Sequence, residues 1–195
     1  TLTAGHNLED ADGLGSVTYR WESSSDGKNW SVITGASGRS FTLGETEVGK
    51  QVRAVASYID GHGTLETRAS PSTEAVANLN DAPLGAVSIT GSAVQKETLS
   101  VSNTLSDIDG LGSISYQWEA STGDGAWTAI EGATASTFSL GEEQVGKSVR
   151  AVAFYTDNHG TTESVASSPT TTVSNINDPV TGVVSISGTL TQGQT

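Results

Sequence analysis

Apolar and polar residues alternate along short stretches of this chain. In Val17-Thr18-Tyr19-Arg20-Trp21-Glu22 the apolar side chains fall on one face and the polar ones on the other, and Ile114, Tyr116 and Trp118 repeat the pattern. A period of two predicts half-buried strands, not helices. Further runs lie at 86–90, 98–104, 126–130, 136–140, 148–156 and 162–174, separated by Gly, Asp and Ser turns at short, regular spacing. Seven short strands in just under 100 residues predict an all-β fold built as an antiparallel β-sandwich.

The pattern occurs twice. Asp10-Ala11-Asp12-Gly13-Leu14-Gly15 returns as Asp107-Ile108-Asp109-Gly110-Leu111-Gly112, a period of 97 residues, and Tyr19-Arg20-Trp21 returns as Tyr116-Gln117-Trp118. The segment Asn78-Leu79-Asn80-Asp81 returns as Asn175-Ile176-Asn177-Asp178. Pro83 or Pro179, then Gly85 or Gly182, punctuate the chain after these segments and mark the boundaries. The expected organisation is a first repeat at 1–82 lacking its first strand, a complete repeat at 83–179, and the first strand of a third repeat at 180–195. Whole domains copied in series suit a stalk better than a catalyst, and copies this alike suggest a longer array.

Two details point to tandem immunoglobulin-like sandwiches. Trp118 sits in the third strand, where such folds bury a tryptophan, and the sixth strand presents Val149, Ala151 and Ala153 on one face. The small alanines leave room for the indole ring where antibody domains place a cystine. The stretch from Leu140 to Val145-Gly146 matches the turn between the fifth and sixth strands.

The formal charge is −13 with only 9 Lys and Arg. Nucleic acid is excluded as a partner, because phosphate recognition needs clustered basic residues. No apolar run approaches the roughly 18–20 residues of a membrane-spanning helix, so direct membrane insertion is not expected. Zero cysteine removes disulfides and thiolate metal sites from consideration.

Threading the strands up and down places the carboxylates. The loop carrying Asp107 and Asp109 and the turn carrying Asp157 come to the same end of the second repeat, where Asn78, Asn80 and Asp81 enter from the preceding one. Five or six oxygen-bearing side chains from three distant segments thus converge on one junction. This donor set predicts a hard-cation site, with calcium (Ca2+) the cofactor, since calcium takes six to eight oxygen ligands in adaptable geometry. Magnesium wants a tighter octahedron, and zinc would want His or Cys donors. The same positions are Asp10, Asp12 and Asp60 in the first repeat, and Asn175, Asn177 and Asp178 in the second linker. His62 and His159 are expected as loop hydrogen-bond partners, and an isolated Asp-x-Asp-Gly is ordinarily a turn.

The linker Asn78-Leu79-Asn80-Asp81-Ala82-Pro83 resembles the calcium-binding linker of cadherins. The whole unit, from Gly85 through Asp109-Gly110-Leu111-Gly112, Tyr116-Gln117-Trp118, Gly132-Ala133-Thr134, Val145-Gly146, Tyr155-Thr156-Asp157 and Asn175-Ile176-Asn177-Asp178, resembles the immunoglobulin-like extender repeats of giant bacterial RTX adhesins. That resemblance implies a long extracellular stalk for cell adhesion, rigidified by calcium at its junctions and exported by type I secretion to the cell surface or biofilm matrix. Its partners would be neighbouring repeats of the same chain. The glycine- and aspartate-rich nonapeptide of RTX proteins is absent, and the second linker carries its proline one place earlier, at Pro179.

Two other readings stay open at this point. The sandwich surface would bind a glycan or protein if Trp30 and Trp127 were stacking platforms. Head-to-tail self-association through 182–195 would build a filament by donor-strand exchange. An enzyme is not expected: no nucleophile elbow or phosphate-cradling glycine loop occurs.

Overall fold

The computed structural model describes residues 1–188 and 190–193. The chain is all-β. It divides into two compact units: the first is Thr1–Pro83 with Ser106–Gly112 and Thr156–Thr162, and the second is Leu84–Leu105, Ser113–Tyr155 and Glu163–Thr195. No helix among the described residues is long and apolar enough to cross a membrane.

Strands β1 (Leu2–Thr3), β2 (Thr18–Ser24), β3 (Ser31–Val32), β4 (Ser40–Phe41), β5 (Gln51–Ile59) and β6 (Leu65–Ala69) belong to the first unit. They form a sheet in the order β3-β2-β5-β6 and a two-stranded sheet β1-β4. The second unit is built on β7 (Val87–Thr90), β8 (Thr98–Asn103), β9 (Ser115–Ser121), β10 (Thr128–Ala129), β11 (Thr137–Ser139), β12 (Ser148–Thr156) and β13 (Thr162–Ala166). Its sheets are β10-β9-β12-β13 and β11-β8-β7, with the β10–β9, β9–β12, β11–β8 and β8–β7 pairings antiparallel. This is the seven-strand arrangement of an immunoglobulin-like sandwich.

The core of the second unit is centred on Trp118, which is fully buried beside Val149, Ala151 and Ala153. Its indole Nε1 donates to the Ala135 carbonyl at 2.9 Å, and its ring stacks on Phe138 with centroids 5.6 Å apart. A buried Trp needs such an acceptor to avoid stranding its one polar group. Trp21 does the same in the first unit, donating to Gly38 at 2.9 Å and facing Phe41 at 5.7 Å.

Several expected strands end early, for local reasons. The run 162–174 pairs only as far as Ala166. Beyond it, side-chain hydroxyls join the ladder: Ser167 Oγ accepts from the Ala151 amide at 3.1 Å and Thr170 Oγ1 from the Val149 amide at 3.0 Å. Pro169 lies between them and has no amide to donate. Ser70 and Thr73 accept from Ala54 and Val52 at 3.1 and 3.0 Å in the first unit, around Pro71. Residues 126–130 pair only at Thr128–Ala129. In the expected strand at 180–195 no ladder forms among the described residues, because nothing lies beside the segment to pair with; Thr189, Gln194 and Thr195 lie outside the described residues.

Candidate metal centre

The first compact unit brings together the three segments whose convergence the sequence predicts: the linker up to Pro83, the 106–112 loop and the 156–162 turn. Asp107 starts the loop as an Asx-turn, its Oδ1 accepting from the Asp109 amide at 2.9 Å. Gly110 then takes φ +98°, which an L side chain rarely adopts, and turns the chain back. At Gly112 a Cβ would sit 2.1 Å from the Thr156 carbonyl, so only glycine lets this loop lie against the end of β12. The Asn158 amide donates to the Asp109 carbonyl at 3.1 Å and ties loop and turn together.

Asp157 closes the turn itself, its Oδ1 accepting from the amides of His159 and Thr161, both at 2.8 Å. Burial alone would push this carboxyl up, but the Thr161 and His159 amides hold it below the usual carboxylate range. Asp109 is only 2 % exposed, and its Oδ2 accepts from the Asp81 amide at 2.6 Å. Linker, loop and turn therefore meet through backbone amides, leaving carboxylate oxygens over.

Three side-chain oxygens, the carboxamide Oδ1 of Asn78 and the carboxylate Asp109 Oδ1 and Asp157 Oδ2, are buried with no hydrogen-bond partner. One comes from each of the three segments. Stranding a buried oxygen costs about 1–3 kcal/mol, more when it is charged, so three stranded oxygens on three converging segments are not an ordinary packing outcome. Asn80, exposed, and Asp107, half-buried, lie on the same linker and loop.

A further carboxylate, Glu45, lies outside the three converging segments. Among the described residues, Glu45, Asp109 and His159 are the one group of three His or carboxylate side chains whose ligand atoms all lie within 4.8 Å of one another. Glu45 opens the 3-10 turn Glu45–Glu47, which is fixed because Glu47 folds back and its Oε2 accepts from the Gly44 amide at 3.0 Å. His159 Nε2 lies 3.6 Å from Glu45 Oε1, so the histidine reaches a carboxylate as well as serving its own loop. The available signal is repetition: Leu43-Gly44-Glu45 returns as Leu140-Gly141-Glu142.

The other sites predicted from sequence are less complete. Asp10 and Asp60 form the same turns, Asp10 Oδ1 accepting from Asp12 at 2.9 Å and Asp60 Oδ1 from His62 and Thr64, both at 2.8 Å. The second oxygen of Asp10 is taken by the Tyr58 hydroxyl at 2.7 Å, and Asp12 is exposed. In the second linker, Asn175 and Asn177 are exposed, the Ile176 amide donates to Gln95 Oε1 at 2.9 Å, and the Asp178 carboxylate pairs with Lys96 and Gln95. Lys96, followed by Gln95, holds the Asp178 carboxyl below its usual range. An ammonium thus answers this carboxylate.

The donor set around Asp109 fits a hard cation: all-oxygen apart from one imidazole, strongly acidic, and with its spare oxygens buried and unsatisfied. Glu45, Asp109 and His159 are the residues whose ligand atoms lie close enough together to hold it, with the unpartnered oxygens of Asn78 and Asp157 on the adjoining linker and turn. Compared with protein-family models and with curated proteins, the chain matches none, and the chemistry of the site rests on its own atoms.

Proposed function

We propose that this chain is an extender segment of a long extracellular adhesin, non-catalytic, in which calcium bound at the Asp109 site stiffens successive repeats at the cell surface or in a biofilm matrix. The observation that carries the reading is the set of three buried, unpartnered oxygens, one from each converging segment. A cation of charge +2 would satisfy them together and offset the repulsion among the carboxylates. Within 4.8 Å, two carboxylates repel by about 3.5 kcal/mol at an effective dielectric near 20, reduced to about 1 kcal/mol by the exposure of Glu45 to solvent.

Without the ion, that repulsion favours opening of the linker and loops; with it, the three segments are held to one centre. Sites of modest affinity saturate at the millimolar calcium found outside cells and stay empty at cytosolic levels, which suits a chain exported pliant and stiffened afterwards. Tandem repetition supports a role in reach: at about 3.3 Å per residue, strands of this length plus a linker span roughly 35–45 Å per repeat. Recognition through stacking tryptophans has less support. Trp30 lies under the Arg53 guanidinium at 4.2 Å and Trp127 under Arg150 at 4.4 Å, so each half-buried indole already has a cation on its face.

Small-angle X-ray scattering in excess EDTA and in millimolar calcium, with magnesium as control, tests the reading. A calcium-selective narrowing of the conformational ensemble is expected. Identical profiles in EDTA and calcium would remove the stalk-stiffening role.

A further inference from the structure

Strand β6 is the last of its sheet, so one of its edges has no neighbour among the described residues. The edge belongs to the repeat itself: in the second unit, with β7 in place, β13 is again the last strand of its sheet. The direction of the backbone groups follows from the hydrogen bonds that flank the β5–β6 ladder. The Asp60 amide donates to the Thr64 carbonyl at 2.9 Å, and the Ser70 amide to the Ala54 carbonyl at 2.8 Å. Hydrogen-bonded pairs alternate in an antiparallel ladder, so Glu66 and Arg68, facing Tyr58 and Ala56, turn their amides and carbonyls toward β5. Those of Leu65, Thr67 and Ala69 point out from the free edge.

An unpaired edge is a template for strand addition, and charged side chains ordinarily blunt it. The charges of β6 do the opposite when the strand meets itself. Every residue of Leu65-Glu66-Thr67-Arg68-Ala69 is exposed, and among the described residues neither Glu66 nor Arg68 is in an ion pair. Laid antiparallel on a copy of itself with Thr67 opposite Thr67, the strand sets each Glu66 against an Arg68, and opposite charges across a strand pair attract. The same register puts Leu65 opposite Ala69 and uses the amides and carbonyls of Leu65, Thr67 and Ala69 that β5 leaves open. It also covers apolar surface, since Leu65 is 66 % exposed and its neighbour across the sheet, Ile59, 59 %. The second repeat lacks this match. Thr156 and Thr162 replace Ile59 and Leu65, and β13 centred on Ser164 would set Glu163 against Val165.

We infer that β6 of one molecule pairs antiparallel with β6 of a second copy of this chain, about a two-fold axis through Thr67. The two sheets then continue through the contact, with charge pairs between Glu66 and Arg68 on either side of the axis. The contact is isologous, so it closes with two copies. It joins separate chains, a role beyond the stiffening of one chain, and it is independent of the proposed cation.

A pair of five-residue strands lies at the small end of specific interfaces, which places dissociation between about 1 µM and about 1 mM. Sedimentation of the 195-residue chain across that range, in excess EDTA, tests the inference. Expected is a mass that doubles with concentration and then stops rising. Glu66→Arg and Arg68→Glu each set like charges opposite one another and should stay monomeric alone. Mixed together, the two variants restore opposite charges at both positions and should dimerise, which also shows that each is folded. Register is read by Thr67→Cys in a chain with no other cysteine. Facing residues of a hydrogen-bonded antiparallel pair lie about 5.5 Å apart, within disulfide reach. Oxidation is expected to give one cross-linked dimer, whereas Ser164→Cys on β13 stays uncross-linked. A monomer mass at every concentration, growth beyond two copies, dimers in either charge variant alone, a mixture that stays monomeric, or cross-linking of Thr67→Cys no greater than that of Ser164→Cys would overturn the inference.

Discussion

Replacing Asp109 by Asn separates a metal ligand from an ordinary structural carboxylate. Asp109 is nearly fully buried, one oxygen accepts the Asp81 amide at 2.6 Å, and the other accepts nothing. Asn keeps an acceptor for Asp81 and puts an NH2 donor where the unpartnered oxygen sits. The loss is the difference between a charge-assisted and a neutral hydrogen bond, about 1 kcal/mol. The gain is removal of repulsion from the Glu45 carboxylate within 4.8 Å, about 1 kcal/mol once discounted for the exposure of Glu45 to solvent. In EDTA the variant should therefore unfold within about 1 kcal/mol of the parent. In calcium at 100 times the dissociation constant the parent gains about 2.7 kcal/mol and the variant does not, a gap of roughly 10–20 °C in Tm for a domain of about 100 residues. Differential scanning calorimetry in both conditions reads the contrast. An equal loss in EDTA and calcium, or an undiminished calcium shift in the variant, would refute the reasoning.

Truncating the fully buried Trp118 to Ala should destabilise its unit by about 3–5 kcal/mol, read as an early transition in chemical denaturation followed by fluorescence. Glu22 is buried with its Oε2 2.7 Å from Arg53 Nη2; burial pushes its carboxyl up, but Arg53 and then Arg20 hold it below the usual range. Because the folded value is the lower one, its contribution is present above the unfolded value and lost as pH falls through the folded one. Glu22→Gln should cost about 1.5–3 kcal/mol at pH 7 and flatten that acid limb, checked by urea melts between pH 7 and pH 3. The Tyr58 phenol donates to Asp10 at 2.7 Å and is pushed up to about 12, so the stability it adds is complete below its ordinary value of 10 and disappears as pH rises through about 12. Absorbance titration should show Tyr58 titrating late, and the late component should shrink in Asp10→Asn as Tyr58 moves back toward its ordinary value.

Much of the fold is readable from local pattern, because a half-buried strand must alternate and a turn must carry its Gly or Asp. The β12 run has its sequence-expected bounds, 148–156. Trp118 sits on the third strand of its sandwich and is buried there. The meeting of 78–81, 106–112 and 156–162 follows from strand direction alone, since antiparallel strands send alternate loops to one end. Glu45 is harder to read, because a 3-10 turn of three residues has no periodicity and a glutamate after glycine looks like solvated surface. The pairing of Asp178 with Lys96 depends on Lys96 at φ +71°, an uncommon backbone state for lysine that composition does not reveal. The shortened β13 reflects hydroxyls of Ser167 and Thr170 joining the ladder around Pro169, a side-chain contribution that apolar patterning does not register.

The central claim is that calcium binds where three chain segments leave oxygens unpartnered. Isothermal titration of calcium into the metal-free chain, with Asp107→Ala/Asp109→Ala and magnesium as controls, tests it most directly. Expected is a saturable, calcium-selective isotherm that loses a site in the double variant. No saturable binding, or an isotherm unchanged by the double substitution, would contradict it.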